Sequence, residues 1–406
     1  MPISLRRRRW ALYALFLLPG LSMSAWVTRT PAVRDLLEAS TAQMGLVLFG
    51  LSVGSMIGIL SSGPLVMRWG TRPVVAGGSS LIVLAMPVIA VGAASGMPLL
   101  TALGLALFGA GMGGGEVAMN VEGADVEKQG GRPFLPALHG CFSLGTVIGA
   151  GLGILANATG FSVVTHLVLI AVLGAGLLLW AMRAIPSGTG LVTAAERAEA
   201  AASPGPALWK DTRLVLIGGI VLAMALAQGT ANDWLPLIMV DGHGFGATMG
   251  STVFALFAAS MTIGRFCGGP IVARVGRARV LMVSALFAAV GLALISFVDS
   301  QPVAVAAVVL WGLGASLGFP LALSAAGDSG PNPAARVALA STIGYLAFLV
   351  GPPTLGLLGE EVGLRGALVV PLAVVLVGVA LSPAAAPRVR AADAPQPRES
   401  AGTLEG

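Results

Sequence analysis

The stretch FGAGMGGGEVAMNVEGAD, residues 108–125, decides the fold, because a related stretch occurs a second time in the chain. WGLGASLGFPLALSAAGD, residues 311–328, follows at an offset of 203 and carries three Gly and a terminal Asp at the same places. Both copies end apolar runs of roughly 20 residues, the length that one helix needs to cross a bilayer. An internal repeat of this kind indicates a chain built from two similar halves.

The composition indicates a membrane protein. Of the 406 residues, 56% are hydrophobic and only 10% are charged, and the mean hydropathy is +0.90. Soluble domains carry roughly 25% charged residues, so a soluble fold of this length could not cover its surface. Twelve apolar runs are long enough to cross a bilayer: approximately 10–31, 43–64, 73–94, 98–121, 135–156, 161–183, 213–238, 247–270, 280–298, 303–325, 337–358 and 364–383.

A second repeat divides the twelve runs six and six. GPLVMRWGTR (63–72) matches GPIVARVGRA (269–278), and each copy lies between the second and third span of its half. The predicted units are a six-helix bundle at 1–183, a cytoplasmic linker at 184–212, a six-helix bundle at 213–385 and a disordered cytoplasmic tail at 386–406. We therefore predict an all-α membrane protein with twelve transmembrane helices in two pseudo-symmetric bundles, an arrangement typical of transporters.

The basic residues predict the orientation, because Lys and Arg concentrate in cytoplasmic segments. With both termini in the cytoplasm, 19 of the 23 basic residues fall on the cytoplasmic side. Arg29, Arg34 and Arg365 fall on the outer side, and Arg265 lies inside the eighth span. The basic character indicates contact with anionic lipid head groups and not with nucleic acid.

The chain resembles the major facilitator superfamily over roughly residues 8–385. The resemblance rests on the twelve spans, which divide six and six, and on the motif G-x-x-x-x-R-x-G after the second span. Glu116-x-Ala118-x-Asn120 on the fourth span and Phe319-Pro320-x-x-x-Ser324 on the tenth resemble its fucose:proton symporter branch. The chain departs from the usual patterns at Met67 and Ala273, where the superfamily has Asp, and at Val121, where the branch has Pro. The resemblance implies a multi-pass transporter of the bacterial inner membrane, with a cavity lined by the first, fourth, seventh and tenth spans.

Glu116 is the strongest single indication of function. A charge inside an apolar span costs a few kcal/mol and faces a cavity or a partner, and such a carboxyl group can take up and release a proton. The second copy of the repeat has Phe319 at this place, so the shared architecture does not require the carboxylate. His139, at a similar depth on the fifth span, could relay the proton. A structural Glu bonded to a neighbouring helix and a packing His are the alternatives.

Polar residues recur at helical spacing on the spans that would line the cavity. Asn120 follows Glu116 at i+4 and shares its helix face. The candidate substrate-binding residues are Trp26, Asn120, Ser143, Gln228, Asn232, Ser316 and Ser324. The amides suit recognition of hydroxyl or amide groups, whereas a Ser hydroxyl also bonds its own helix backbone. For each isolated Ser, the structural interpretation is therefore the favoured one.

A candidate outer gate involves Arg29 and Asp233. They lie near the outer ends of the first and seventh spans, which are equivalent in the two halves. We predict an ion pair between them that helps to close the outer side. The alternative is two separate interfacial charges, with the neighbouring Trp26 and Trp234 forming a membrane-interface belt.

A candidate inner gate involves the two short loops that carry the second repeat. Arg68 and Arg274 stand at equivalent places there, and Asp125 recurs as Asp328 at the end of the first repeat. We predict a conformational role for the arginines, which can cap the carbonyl groups at the ends of helices. A symmetric network of these four residues is one interpretation, and a solvated run of charges is the other.

These features predict a secondary active transporter that moves a small polar solute, such as a sugar or a related metabolite, by alternating access with proton coupling. A proton-driven efflux pump for drug-like or secondary-metabolite compounds is the alternative, favoured if Met112, Phe142 and Trp26 make the cavity apolar. A receptor or scaffold without transport activity would not need Glu116. We expect a monomer whose partners are the solute, protons and the lipid bilayer.

No motif for catalysis or for a cofactor stands out. Gly109-x-Gly111-x-x-Gly114 has the spacing of a dinucleotide fingerprint, but that motif needs a preceding strand and lies here inside an apolar span. Cys141 and Cys267 stand in apolar helices, without the spacing of a zinc site or of a disulfide framework. We therefore predict that the chain is not an enzyme and uses no cofactor and no metal.

Overall fold

The computed structural model describes residues 4–131, 134–193 and 208–386. The middle of the predicted linker (194–207), nearly all of the predicted tail (387–406) and five of the basic residues used for orientation lie outside the described residues. The helices are α1 (Leu5–Val27), α2 (Thr41–Trp69), α3 (Thr71–Ala94), α4 (Pro98–Gly130), α5 (Leu135–Ala158), α6 (Val163–Ala181), α7 (Thr212–Leu237), α8 (Ala247–Val275), α9 (Arg277–Phe297), α10 (Gln301–Gly327), α11 (Pro333–Ala367) and α12 (Val369–Leu381).

The predicted all-α class with twelve membrane helices is confirmed. Eleven of the described helices are long and apolar enough to cross a membrane, and the twelfth apolar stretch, Val369–Ala385, is shorter. The twelfth span nevertheless starts earlier than α12, because Gly363 has a φ of 77° and breaks the end of α11. A short helix, Thr30–Leu36, connects α1 with α2.

Local sequence sets the turns between helices. Ser40 starts α2 with a capping box, in which its hydroxyl accepts from the amide N–H of Gln43 and the Gln43 side chain accepts from the N–H of Ser40. Gly70 and Gly276 separate the second and third helix of each half with φ values of 80° and 88°. Only glycine adopts this conformation readily, so the repeated Gly explains why both halves turn at the same point.

The bundle has two ends, which we name by the chain segments that they carry. The linker end carries the start of α1, the α2–α3 connection, the end of α4 and residues 184–193 and 208–212, and the distal end carries the short helix Thr30–Leu36. At the linker end α4 reaches Gly130, whereas the apolar run predicted its end near residue 121. The helix continues because its charged extension is paired, as described below.

The packing repeats the symmetry of the sequence. In the first half (α1–α6), α4 packs between α2 and α3, and in the second half (α7–α12), α10 packs between α8 and α9. The two halves meet where α2 packs against α11 and where α5 packs against α8. At the first of these contacts Gly45 and Gly356 face each other near the distal end. A Cβ on Gly45 would lie 2.8 Å from the Cα of Gly356, so only glycine permits this approach.

Candidate functional site

The glycines of α4 determine where Glu116 points. Gly113 lies against α2, where an added Cβ would be 2.7 Å from the carbonyl oxygen of Ser55, and Gly111 and Gly115 lie against Gly78 of α3. The third face of the helix carries Met112, Glu116 and Asn120, four residues apart. This face is turned away from α2 and α3, toward the space between the two halves.

Glu116 lies near the middle of α4 and is exposed. His139 lies in the first turns of α5 and is also exposed, with its ring edge-on to Phe16 at a centroid distance of 5.3 Å. No hydrogen bond joins Glu116 to His139 in the described part of the chain, so the two groups are near the same space without forming a direct relay.

Two residues of the second half lie within electrostatic reach of Glu116. The charge of Arg265 on α8 acts on Glu116 and on His139, and the charge of Glu116 acts on Tyr345 of α11. No ion pair joins Glu116 to Arg265 among the described residues, although Arg265 donates one hydrogen bond, from Nε to the carbonyl oxygen of Ser316, at 3.4 Å. We call Glu116, His139, Arg265 and Tyr345 the central site, since they come from both halves and share one electrostatic environment.

Three of the predicted substrate-binding residues offer unused polar groups. Asn120, Gln228 and Asn232 are each half-buried, and their side chains form no hydrogen bond within the described residues. An amide group has both donors and an acceptor, so these side chains can bind hydroxyl groups of a solute. Gln228 and Asn232 are spaced four residues apart and lie on one face of α7.

The other predicted substrate-binding residues already have contacts in this structure. The hydroxyl groups of Ser143 and Ser316 donate to backbone carbonyl oxygens of their own helices, at 3.2 Å and 2.6 Å. Ser324 accepts a hydrogen bond of 3.2 Å from Arg277 at the linker end. Trp26 is 1% exposed and packs in the core of the distal end.

The distal end is closed by hydrogen bonds between the halves. Asn157 of α5 donates to Ser251 of α8 at 2.8 Å and to the carbonyl oxygen of Thr28 at 2.9 Å. Ser251 in turn donates to the same Thr28 oxygen at 2.9 Å. Arg29 donates to the side-chain oxygen of Asn157 and to the carbonyl oxygen of Phe161. We call these five residues the distal network.

The predicted ion pair between Arg29 and Asp233 is wrong for this conformation. Arg29 precedes the short helix Thr30–Leu36. Its guanidinium turns toward α5 and donates hydrogen bonds to the side chain of Asn157 and to the carbonyl oxygen of Phe161. Asp233 is buried at 7% exposure, and no hydrogen bond or ion pair reaches it in the described part of the chain. An ion pair does cross between the halves at this end, but it joins Arg34 to Asp241.

The two ends of the bundle differ in access to the central site. At the distal end, residues 26–30 of α1 and its continuation are at most 4% exposed, and residues 233–239 of α7 and its continuation are buried. Toward the linker end, Glu116, His139 and Thr342 are exposed. The central site therefore opens toward the linker end.

Comparison with known proteins identifies the family. The profile of the Major Facilitator Superfamily matches residues 11–338. The chain belongs to this superfamily. An uncharacterised MFS-type transporter of Yersinia pestis is 32% identical over 347 residues, which are 85% of this chain and 87% of that protein.

Solved structures of this superfamily share the fold. A mutant of the nucleoside transporter NupG has a TM-score of 0.74 and 18% identity, over 93% of this chain and 98% of that one. The MFS transporter FucP in its outward conformation has a TM-score of 0.64 and 18% identity, over 94% of this chain and 99% of that one. The protein is thus a multi-pass membrane transporter of the MFS class and not an enzyme, as predicted.

In this MFS protein, the linker end of the first half carries a buried cluster around Arg8. Its Nε donates to Glu122 at 2.6 Å, and one Nη donates to Asp125 at 2.5 Å. Thr71 donates to the other oxygen of Glu122 at 2.5 Å. Glu122 is fully buried, at 0% exposure, so this cluster explains why α4 continues beyond its apolar run.

The predicted network of Asp125 and Asp328 with Arg68 and Arg274 is therefore wrong in its partners. Asp125 binds Arg8, and Asp328 binds Arg277 at 2.7 Å. The reason is the turn at Gly70 and Gly276, because the next helix begins directly after each glycine. Residues 71 and 277 therefore lie beside the acidic residues at the end of α4 and α10. Arg68 and Arg274 are exposed and form no ion pair in the described part of the chain.

Sequence reasoning did not find Asn157, Ser251 and Tyr345, and it located Arg265 without giving it a role. A signal existed for Arg265, because a charge inside a span indicates function by default. The repeat strengthens this signal, because the offset of 206 residues between α2 and α8 places an uncharged residue, Ile59, at the position equivalent to Arg265. Asn157 and Ser251 had no comparable signal, because single polar residues are common near the ends of membrane helices, and Tyr345 is an aromatic residue without a formal charge.

Proposed function

We propose that this protein is a secondary active transporter that carries a small polar solute by alternating access, coupled to protons through Glu116. The observation that carries the proposal is the position of Glu116. It lies in the middle of a spanning helix, faces the second half and is exposed, while the distal end is closed. A carboxyl group in such a place is expected to lie on an ion or substrate pathway.

The contacts between the halves support alternating access. Those at the distal end are hydrogen bonds and one ion pair between helix ends, which can break when the halves rotate against each other. The ion pairs at the linker end, in the described residues, each join residues of one half and survive the same rotation. A solute or proton shifts such an equilibrium only by its difference in affinity between the two states.

We assign the linker end to the cytoplasm of a bacterial cell. The excess of Lys and Arg at this end supports the assignment, and the relative from Yersinia pestis supports a bacterial membrane. The described conformation is then inward-open, with both termini in the cytoplasm. We expect the protein to act as a monomer in the inner membrane.

The polar groups around the central site favour a hydroxylated solute. Asn120 shares the helix face of Glu116, and Asn120, Gln228 and Asn232 carry side-chain amides that form no hydrogen bond within the described residues. NupG is named as a nucleoside transporter. The alternative, an efflux pump for apolar compounds, was based on Met112, Phe142 and Trp26. Trp26 is buried in the closed distal end and does not add to an apolar cavity in this conformation.

Transport in proteoliposomes tests the proposal. The purified protein is reconstituted, a pH gradient is imposed, and the accumulation of radiolabelled nucleosides, sugars and sugar acids is measured for wild type and Glu116→Gln. We expect accumulation driven by the pH gradient in wild type and only gradient-independent exchange in Glu116→Gln. Glu361→Gln is the matched control, because Glu361 is exposed near the distal end of α11. Gradient-driven accumulation that persists in Glu116→Gln would overturn the proton role.

A further inference from the structure

Arg265 is the second charged residue that the repeat does not explain. It lies within the long α8, about two thirds of the way from Ala247 to Val275, and the equivalent residue of α2 is Ile59. A guanidinium at this depth costs a few kcal/mol unless it is paired. Glu116 and Arg265 thus each break the symmetry of their own half, and each lies within electrostatic reach of the other.

The contacts of Arg265 leave one edge of its guanidinium free. Its Nε donates to the carbonyl oxygen of Ser316 on α10. Its two Nη atoms form no hydrogen bond and no ion pair within the described residues, and the side chain is half-buried. A guanidinium is planar and has five N–H donors, so the Nε bond to α10 holds its plane while the Nη atoms remain available.

The groups around Arg265 leave its positive charge without a paired anion among the described residues. Glu116 comes from α4, His139 from α5 and Tyr345 from α11, and no ion pair joins any of them to Arg265 in the part of the chain that the structure describes. When Glu116 is ionised, it competes for Arg265, and when it takes up a proton, the guanidinium is left as an unbalanced positive charge. A carboxylate matches the geometry of a guanidinium edge and forms two parallel hydrogen bonds with it.

We infer that the transported solute carries a carboxylate, that Arg265 binds this group, and that the free amides of Asn120, Gln228 and Asn232 bind its hydroxyl groups. The substrate class is thus a hydroxylated organic acid, of which a sugar acid is the simplest example. This inference rests on the proposed transport function and narrows its substrate. Arg265 acts as a specificity-determining residue, and proton uptake by Glu116 favours binding of the acid.

Matched pairs of ligands test the inference. Binding of glucose against glucuronate and of galactose against galacturonate is measured with the purified protein in lipid nanodiscs, for wild type, Arg265→Gln and Arg265→Lys. We expect wild type to bind at least one acid more tightly than its neutral partner, by about tenfold to hundredfold, as for a charge-assisted pair of hydrogen bonds. Arg265→Gln should remove this preference, and Arg265→Lys should retain part of it.

Two controls separate a binding role from a structural one. Arg72→Gln removes an exposed arginine without an assigned role and should leave the acid preference unchanged. Glu116→Gln mimics the protonated acid, so it should keep the preference for the acid and remove its dependence on pH. The inference is overturned if neither acid binds better than its neutral partner, or if the preference persists in Arg265→Gln. Gradient-driven transport of a neutral solute, lost in Glu116→Gln and kept in Arg265→Gln, would overturn the inference and leave the proposed function intact.

Discussion

The two ends of the bundle use their polar residues differently. At the distal end, the distal network and the Arg34–Asp241 pair join one half to the other. At the linker end, the Arg8 cluster and the Arg277–Asp328 pair each connect helices of a single half. The first kind of contact must break for the halves to rotate, and the second kind keeps each half rigid during rotation. Under the proposed alternating access, the same chemistry therefore serves motion at one end and stability at the other.

The largest effect on stability is expected from breaking a contact at the linker end, which joins helices of a single half. Arg8→Gln leaves Glu122 fully buried without its charged partner. Loss of one partner of a buried ion pair costs about 3–5 kcal/mol. We expect a clear fall in the Tm of the purified protein and no change in which end is open. Arg7→Gln, at an exposed neighbour in the same turn of α1, is the control and should leave Tm unchanged.

A smaller effect on stability and a larger effect on conformation are expected at the distal end. Asn157→Ala removes the hydrogen bond to Ser251, which crosses between the halves and is worth about 1 kcal/mol, together with the bond to Thr28 inside the first half. We expect the distal-open population to rise about fivefold. Spin labels at Glu38→Cys and Glu361→Cys, in a background without Cys141 and Cys267, should report a new long distance. Thr159→Ala, at an exposed residue two positions away, is the control, and an unchanged distance in Asn157→Ala would refute the gating role.

The Arg34–Asp241 pair should contribute less than the distal network. The pair lies at the partly exposed rim of the distal end, and exposed ion pairs stabilise by about 0–1 kcal/mol and are screened by salt. Arg34→Asp should raise the distal-open population less than Asn157→Ala does, with an effect that falls in high salt. The double variant Arg34→Asp with Asp241→Arg should restore the wild-type distance. A salt-independent effect, or no restoration, would show that the pair has no such role.

The smallest effect on Tm is expected from a change at Asp211. This residue caps the start of α7 and accepts a hydrogen bond of 2.7 Å from Arg336. The hydrogen bond from Arg336 lowers the pKa of Asp211 below its ordinary value. A lowered pKa means that the ionised group stabilises the fold above its ordinary pKa, near 4, and that this contribution is lost as the pH falls through the lowered value. Asp211→Asn should therefore lower Tm slightly at pH 7 and not at all at the acid end. An equal difference at both pH values would contradict the pairing.

Most of the fold could be predicted from the sequence, because its determinants are local or repeated. The apolar runs fix the helices, and the two copies of Gly-rich sequence fix how α4 and α10 pack. The position of Glu116 could also be predicted, since a lone carboxylate in an apolar run is conspicuous. The structure then added its direction, which depends on which α4 glycines meet α2 and which meet α3.

The partners of the charged residues could not be predicted. Arg8 and Glu122 are 114 residues apart, and nothing in either local sequence announces the other. Arg29 and Asp233 occupy equivalent ends of equivalent helices, yet the Arg29 side chain turns toward α5. Arg68 and Asp125 lie at the same end of the bundle. The turn at Gly70 nevertheless places Thr71, and not Arg68, beside Glu122. Side-chain direction is a property of tertiary packing, so helical spacing alone leaves it open.

The most direct test of alternating access measures both ends in one protein. Spin labels at Glu38→Cys and Glu361→Cys report on the distal end, and labels at Arg72→Cys and Arg279→Cys, at exposed residues of α3 and α9, report on the linker end. Pulsed dipolar spectroscopy compares wild type with Asn157→Ala. Alternating access predicts that the distal distance lengthens while the linker-end distance shortens in the same fraction of molecules. A distal distance that lengthens while the linker-end distance stays constant would contradict it.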